Sequence, residues 1–211
     1  NEIINKYGAD ILRLWVSNAD YTKDIQISTE ILKRIIDIYR KIRNSFRFIL
    51  SNLFDFTNTR KLYNKKLLYI DVILLKKIKK LHKKISTYYK NYKIYQAQKE
   101  IYNFCNIDLS NFYFDITKDR LYTCNKNSTQ RKSAQYVLYY TGLFLLKWIA
   151  PILSFTAEEI FTTQKSIFNI SEKTVFLLNW NSCYFNNNNY NNKKKDLWNN
   201  LKIIKAEINK K

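Results

Sequence analysis

The chain is 211 residues long, enough for one helical domain with a full core or for a main domain with small appendages. Lys and Arg number 37 against 17 Asp and Glu, and a formal charge of +20 would push a small compact body apart unless it faced a polyanion, which makes nucleic acid the default partner. No apolar run reaches the ~18 residues of a membrane span, no basic-apolar-small leader opens the chain, and three scattered cysteines fit neither a disulfide framework nor paired zinc ligands, so a soluble, cytosolic chain with reduced thiols is expected.

Apolar residues recur every three and four positions, while Gly (2) and Pro (1) are nearly absent, so the fold class expected is all-α or nearly so. A first helix is expected after Gly8, with Leu12, Trp15 and Val16 on one face and Arg13 turned elsewhere. The alternation Asp24-Ile25-Gln26-Ile27-Ser28 reads as a short strand or an extended connector. Ser28 then offers an N-cap oxygen, and Glu30 a first-turn charge, to a helix over about 29–54. Its buried stripe is Leu32, Ile35, Ile36, Tyr39, Ile42, Phe46, Ile49, Leu50 and Leu53. A polar break from Thr57 to Lys66 leads into a helix over about 68–90, striped by Val72, Leu75, Ile78, Leu81 and Ile85 and closed by a turn at Asn91-Tyr92. The next helix, over about 94–117, buries Ala97, Ile101, Phe104, Cys105, Leu109, Phe112 and Tyr113. A loop from Asn125 to Ser128 opens a helix over about 129–149, with Ala134, Val137, Leu138, Leu145 and Trp148 inward and Pro151 ending it. Thr156 with Glu159 three residues on forms a capping box for a short helix over about 156–164. Val175 to Trp180 reads as extended, and Asn181 to Asn192 as a mobile linker with too little apolar surface to offset its ordering entropy. From about 195, Leu197, Leu201, Ile204 and Ile208 mark a last amphipathic helix.

Little here points to bond chemistry. His82, the only histidine, reads as a solvated residue on a basic helical face, with no Ser, Cys or acidic partner close in sequence. Glu158 and Glu159 are explained as first-turn carboxylates on a helix dipole, and two glycines cannot build a phosphate loop. Basic residues beside aromatics and amides are the better candidates. Between Asn111 and Thr123, a helix end brings Lys118, Arg120 and Tyr122 together with Asp119: cations for phosphates, a carboxylate for base amino groups, a ring for an unpaired base. The same cations would complement any helix C-terminus, so both readings stand. Arg40, Arg43 and Arg47, with Asn44 among them, lie three and four apart on one face and either span successive phosphates or form a solvated charged face. Gln130, Arg131 and Gln135 open the following helix with groups able to read base edges, or sit there as ordinary surface side chains. Only 8 of the 37 cations are Arg, and A+T-biased coding alone would enrich Lys, Asn, Ile and Tyr, so about half of the excess charge is assigned to composition.

Several runs resemble a known family. Lys6 to Val16, Asp20-Tyr21, Asp24-Ile25 to Ser28, Glu30 to Arg34 and Tyr39 to Asn44 resemble, in that order, the segment following the Lys-Met-Ser-Lys-Ser loop of bacterial-type isoleucyl-tRNA synthetases, which are class I enzymes. Phe104-Cys105, Ser110 to Arg120 with Tyr122, Arg131-Lys132-Ser133 and Trp148 to Glu159 keep the family's order, so the resemblance spans about residues 1–180. Gly8-Ala9-Asp10 followed by Leu12-Arg13 is shared with valyl and leucyl relatives and marks only the class. Trp15 with Asp20-Tyr21, and the run from Phe112 to Arg120, mark the isoleucyl branch. The tract between Thr57 and Leu67, the Tyr92 to Gln98 region and Asn181 to Asn192 depart from the family's usual sequence.

The resemblance implies a stem-contact segment over 1–28, a helical-bundle anticodon-binding domain over 29–165, an extended segment and linker over 166–192, and the start of a C-terminal helix over 193–211. It implies Lys118, Asp119, Arg120 and Tyr122 as anticodon contacts, with Arg131 and Gln135 on the adjoining helix start. Arg13, Arg40, Arg43, Asn44 and Arg47 become tRNA backbone or stem contacts, and Trp15 packs at the junction with a preceding catalytic domain. The implied partners are tRNA(Ile) and that catalytic domain, in a monomeric cytoplasmic enzyme that attaches isoleucine using ATP and Mg²⁺. The absence of Met and an opening at Asn1 suit a piece of a longer protein, whose catalytic and editing domains would lie elsewhere. This part would then hold no cofactor or metal, and zinc would belong to a separate C-terminal module. The same region of a valyl enzyme and a free-standing helical RNA-binding protein are the alternatives.

Overall fold

Helices account for most of the computed structural model, which describes residues 2–19, 27–56, 67–168, 170–180 and 197–208, and no strand occurs among the described residues. Residues 24–26 of the connector expected at 24–28, the polar break at 57–66 and the Asn-rich tract at 181–192 lie outside the described residues.

Helices α1 (Glu2–Tyr7) and α2 (Ala9–Asn18) meet at Gly8, whose φ of 87° is a conformation that side-chain-bearing residues rarely adopt. The buried face of α2 is Asp10, Ile11 and Leu14, whereas Val16 is 57% exposed. The expected face was rotated from the real one because apolar residues surround half of this short helix, and its neighbours decide which of them are covered. Helix α3 (Thr29–Ser51) starts as expected, with Ser28 Oγ accepting from the Ile31 N–H at 3.2 Å. Leu32, Ile35, Ile42, Phe46, Ile49 and Leu53 are buried, and Ile36, Tyr39 and Leu50 pack at the margin.

Helix α4 (Tyr69–Lys90) buries Val72, Leu75, Ile78, Leu81 and Ile85, and it corrects the reading of His82. The imidazole is 6% exposed, and its Nδ1 accepts from Trp148 Nε1 at 3.0 Å. The lysines beside it point outward while His82, four residues after Ile78 and three before Ile85, falls on the buried stripe. The turn that follows closes with Tyr92 at a positive φ of 54° and Lys93 N–H donating to the Tyr88 carbonyl at 2.8 Å.

The single helix expected over 94–117 is instead a composite. Helix α5 (Ile94–Asn103) passes into a π-helical stretch (Phe104–Tyr113) and then α6 (Phe114–Tyr122) without a break. The buried pairs Phe104/Cys105, Asp108/Leu109 and Phe112/Tyr113 recur every four residues, a spacing that a wider turn keeps facing the core. Helix α7 (Thr129–Ile149), capped by Ser128 Oγ, is buried on nearly every side and runs through the middle of the bundle, packed by α3, α4 and α6. A methyl group added at Gly142 would stand 3.0 Å from the Phe168 ring and 3.2 Å from Ile49, so this close approach uses the missing side chain.

Helix α8 (Ser154–Phe168) begins earlier and ends later than expected, with a kink at Gln164. The capping box at Thr156 and Glu159 does not form. Asp10 of α2 accepts from Thr156 N–H at 2.7 Å, Thr156 Oγ1 at 2.6 Å and Phe155 N–H at 3.3 Å, so the start of α8 is capped from another helix. Arg13, one turn along α2, donates to the carbonyls of Ile152 (2.8 Å) and Pro151 (2.9 Å) and to Ser154 Oγ (3.0 Å). Gly-Ala-Asp with Leu-Arg thus reads physically as a clamp on the turn between α7 and α8. Glu158 accepts from Thr174 Oγ1 and the Val175 N–H, fixing a short 3₁₀ turn (Val175–Leu177) where an extended segment was expected. The last helix, α9 (Leu197–Ile208), is anchored by Trp198, 6% exposed, against Phe112, while Ile204 and Ile208 remain exposed.

Candidate nucleic-acid interface

At the start of α4, Asp71 is completely buried, and groups from three neighbouring elements converge on it. Tyr113 Oη donates to it at 2.7 Å, Arg120 reaches it with two N–H groups at 2.9 Å each, and Ser133 Oγ donates to it as well. A buried carboxylate needs such partners, because its desolvation is otherwise uncompensated. Burial lowers the Arg120 pKa, but its bonds to Asp71 outweigh that and raise it. Arg120 therefore points inward, with 14% of its side chain exposed, and the expectation that it contacts the anticodon does not fit its position.

Arg131 and Gln135 have the same fate. Arg131 is 9% exposed and donates to both oxygens of Asp55, at 2.7 and 3.3 Å, and through Nε to the Leu121 carbonyl at 3.1 Å. Gln135 is 2% exposed and donates to Asp55 at 2.7 Å and to the Asn52 carbonyl at 2.9 Å. Burial raises the Asp55 pKa, but the bonds from Arg131 and Gln135 outweigh it and hold the carboxyl below its ordinary value. These side chains tie α7 to the segment after α3, so their polar groups are directed at protein instead of base edges.

Lys118, Asp119 and Tyr122 lie on the outside of α6. Lys118 makes a surface pair with Asp115 at 3.1 Å, its side chain 51% exposed, and Tyr122 is 64% exposed. Asp119 keeps an exposed carboxylate while its carbonyl accepts from Thr123. Asp115 also takes Lys205 of α9, and bonds from Lys205 and then Lys118 hold its carboxyl below the usual range.

The second group of expected contacts divides in a similar way. Arg13 is spent on the α7–α8 turn. Arg43 faces Glu159 of α8 through two bonds, at 3.2 and 3.0 Å, and Tyr39 Oη at 2.8 Å, and these bonds raise its pKa. Arg40 has an exposed partner, Asp37, at 3.4 Å, a separation and exposure that contribute little to stability. Asn44 and Arg47 are exposed. Among the described residues, then, Lys118, Asp119 and Tyr122 stand outward at one end of the bundle, and Arg40, Asn44 and Arg47 stand outward along α3. The sequence pattern could not separate outward from inward positions, because the partners Asp55 and Asp71 are distant in the chain.

Among the described residues no group of three or more His, Cys, Asp or Glu is arranged to hold a metal ion, and no helix is long and apolar enough to cross a membrane. Cys105 is buried, and burial pushes its thiol up to about 12, so it is a packing residue.

The chain is similar to isoleucine–tRNA ligases. It is 43% identical over 213 aligned residues to the enzyme of Buchnera aphidicola subsp. Cinara cedri, which covers 99% of this chain and 22% of that protein. It is 49% identical over 181 residues to that of Caldicellulosiruptor saccharolyticus, covering 85% of this chain and 20% of the relative. With that of Legionella pneumophila strain Corby the identity is 41% over 211 residues, again 22% of the relative. The chain therefore spans about a fifth of the length of the curated relatives it matches. Residues 71–211 match the family model described as the anticodon-binding domain of tRNA ligase, and the chain belongs to that family.

Proposed function

We propose that this chain is the tRNA-holding, anticodon-side part of an isoleucine–tRNA ligase. The observation that carries the reading is the family membership, combined with an outward cation, carboxylate and ring at Lys118, Asp119 and Tyr122 on one end of the bundle. In that role the bundle holds the anticodon arm by phosphate contacts, and the exposed end of α6 meets the unpaired bases. Lys118 supplies charge, Asp119 an acceptor for base amino groups, and Tyr122 a stacking face. Arg40, Asn44 and Arg47 supply a second, weaker set of backbone contacts along α3. Arg13, Arg43, Arg120, Arg131 and Gln135 hold the protein surfaces that make these contacts.

Residues 1–28 serve as the stem-contact segment, 29–165 as the anticodon-binding bundle, 166–192 as a connecting segment and linker, and 193–211 as the start of a C-terminal helix. The parts of the enzyme outside these residues bind ATP, Mg²⁺ and isoleucine and carry out the transfer. The specific partner is tRNA(Ile), met by a monomeric cytoplasmic enzyme. Filter binding of a tRNA(Ile) transcript and of the same transcript with a swapped anticodon tests the reading. The matching transcript is expected to bind more tightly at every salt concentration. Equal affinity throughout would leave only phosphate binding and overturn base recognition by this chain.

A further inference from the structure

The buried polar side chains that were expected to read bases hold in place a turn that carries an exposed phenylalanine. Phe54, in the turn after α3, is 75% exposed. Its flanks are fixed: Asn52 is 5% exposed and donates to the Phe48 carbonyl at 2.8 Å, and Phe56 N–H donates to the Leu53 carbonyl at 3.0 Å. Arg131 and Gln135 reach out of the central helix to Asp55 and the Asn52 carbonyl. A buried guanidinium and a buried amide are costly to place, and here the guanidinium holds the Asp55 side chain while the amide holds the Asp55 side chain and the Asn52 carbonyl, on either side of one exposed ring. The same Arg131 also binds the Leu121 carbonyl, immediately before a second exposed ring, Tyr122. One guanidinium thus holds the neighbours of both rings, Asp55 on one side and Leu121 on the other. Lys126, in the loop that follows α6, is close enough to act electrostatically on Asp55 and is itself exposed.

We infer that Phe54 and Tyr122 are a pair of stacking positions for unpaired RNA bases, set at a fixed separation by the Arg131 clamp, with Lys126 and Lys118 as the nearby phosphate-binding charges. Stacking on rings needs no hydrogen-bond readout and accepts any base face, while a rigid pair accepts only a strand whose bases are already splayed. Arg131 is in this arrangement a positioning residue, and Phe54 is a ligand-binding residue that lies outside the runs on which the family resemblance rests. The inference rests on the proposed tRNA-binding reading.

The test uses the 211-residue chain, an RNA hairpin with an unpaired loop carrying 2-aminopurine, and a blunt duplex of the same stem. The chain is expected to prefer the hairpin and to quench the probe. Phe54→Ala and Tyr122→Ala should each weaken hairpin binding by roughly 5- to 100-fold and reduce the quenching, with duplex binding unchanged. Phe54→Trp should retain both hairpin affinity and quenching. A hairpin preference that survives Phe54→Ala intact overturns the stacking pair and leaves the tRNA-binding reading standing, with the exposed ring then free for a protein contact. An equal loss on hairpin and duplex also overturns it. Equal binding of hairpin and duplex by the unsubstituted chain overturns the stacking pair and leaves phosphate binding, whereas failure to bind either RNA removes the tRNA-binding reading itself, and the stacking pair with it.

Discussion

Asp71 and His82 are the polar residues on which the interior depends most. Asp71, itself at zero exposure, holds Tyr113, Arg120 and Ser133. Its truncation would leave a largely buried guanidinium without its carboxylate, which typically costs about 3–5 kcal/mol. Asp71→Ala should accordingly lower stability by that amount in urea unfolding, and a loss under about 1 kcal/mol would show that water replaces the carboxylate. His82 makes a different prediction. Burial, then the positive charge of Lys147, hold its pKa below the ordinary 6.5, and its Nδ1 must stay unprotonated to accept from Trp148 Nε1. Above its ordinary pKa the ring is neutral in both folded and unfolded chains and contributes no pH dependence. As the pH falls through that value, the unfolded chain takes up a proton that the folded chain refuses, so stability falls. Because His82 is the only histidine, a decline in the urea midpoint between about pH 7.5 and about pH 5.5 should be attributable to it. His82→Gln, which retains an acceptor and cannot titrate, should flatten that decline; an unchanged slope in the variant would assign the effect elsewhere.

Elements are joined by side chains that cross between helices more than by caps within one segment. Asp10 supplies acceptors for the first N–H groups of α8, and Arg13 takes the carbonyls of the preceding turn. Asp10→Ala should cost about 1–3 kcal/mol, the penalty of leaving buried donors unpaired, and should loosen α8 before α4 in hydrogen exchange. Simultaneous loss of protection in both helices would contradict a local clamp. The stripes of α3 and α4 were legible in the sequence because three-and-four periodicity reports directly on one helix's buried face. The Ser28 cap was legible for the same reason: donor and acceptor lie three residues apart. The cap of α8 was not, since Asp10 lies 146 residues from Thr156 and a plausible local box occupied the same place. The π-helical stretch left a trace in its four-residue burial spacing, yet an i, i+3, i+4 search reads that spacing as an ordinary helix. At the candidate interface, Lys118, Asp119 and Tyr122 were legible as types on a helix end. The inward turn of Arg120 and Arg131 depends on Asp71 and Asp55, which are remote in sequence, and Phe54 carries no motif at all.

For the molecule as a whole, the +20 charge overstates what faces a polyanion. Arg13, Arg43, Arg120 and Arg131 are tied to protein acceptors, Lys147 donates to the Asn179 carbonyl with 4% exposure, and Lys77 and Lys202 converge on Asp108. Such cations are neutralised locally or held away from solvent, so they would release few counterions in the proposed RNA binding. The salt dependence of binding should therefore follow the outward cations alone. Each phosphate contact contributes about 0.7–0.9 to the slope of log K against log salt. Lys118→Ala should reduce that slope by about one such increment and weaken matching and anticodon-swapped tRNA to the same degree, as a phosphate contact does. Arg43→Ala should instead leave the slope unchanged and lower the melting temperature, because its guanidinium joins α3 to α8 through Glu159. The two variants each remove one positive charge, so any difference between them comes from where the charge points. If Arg43→Ala reduced the slope as much as Lys118→Ala, the Glu159 pair would have to open on binding, and the α3 face would be a phosphate track.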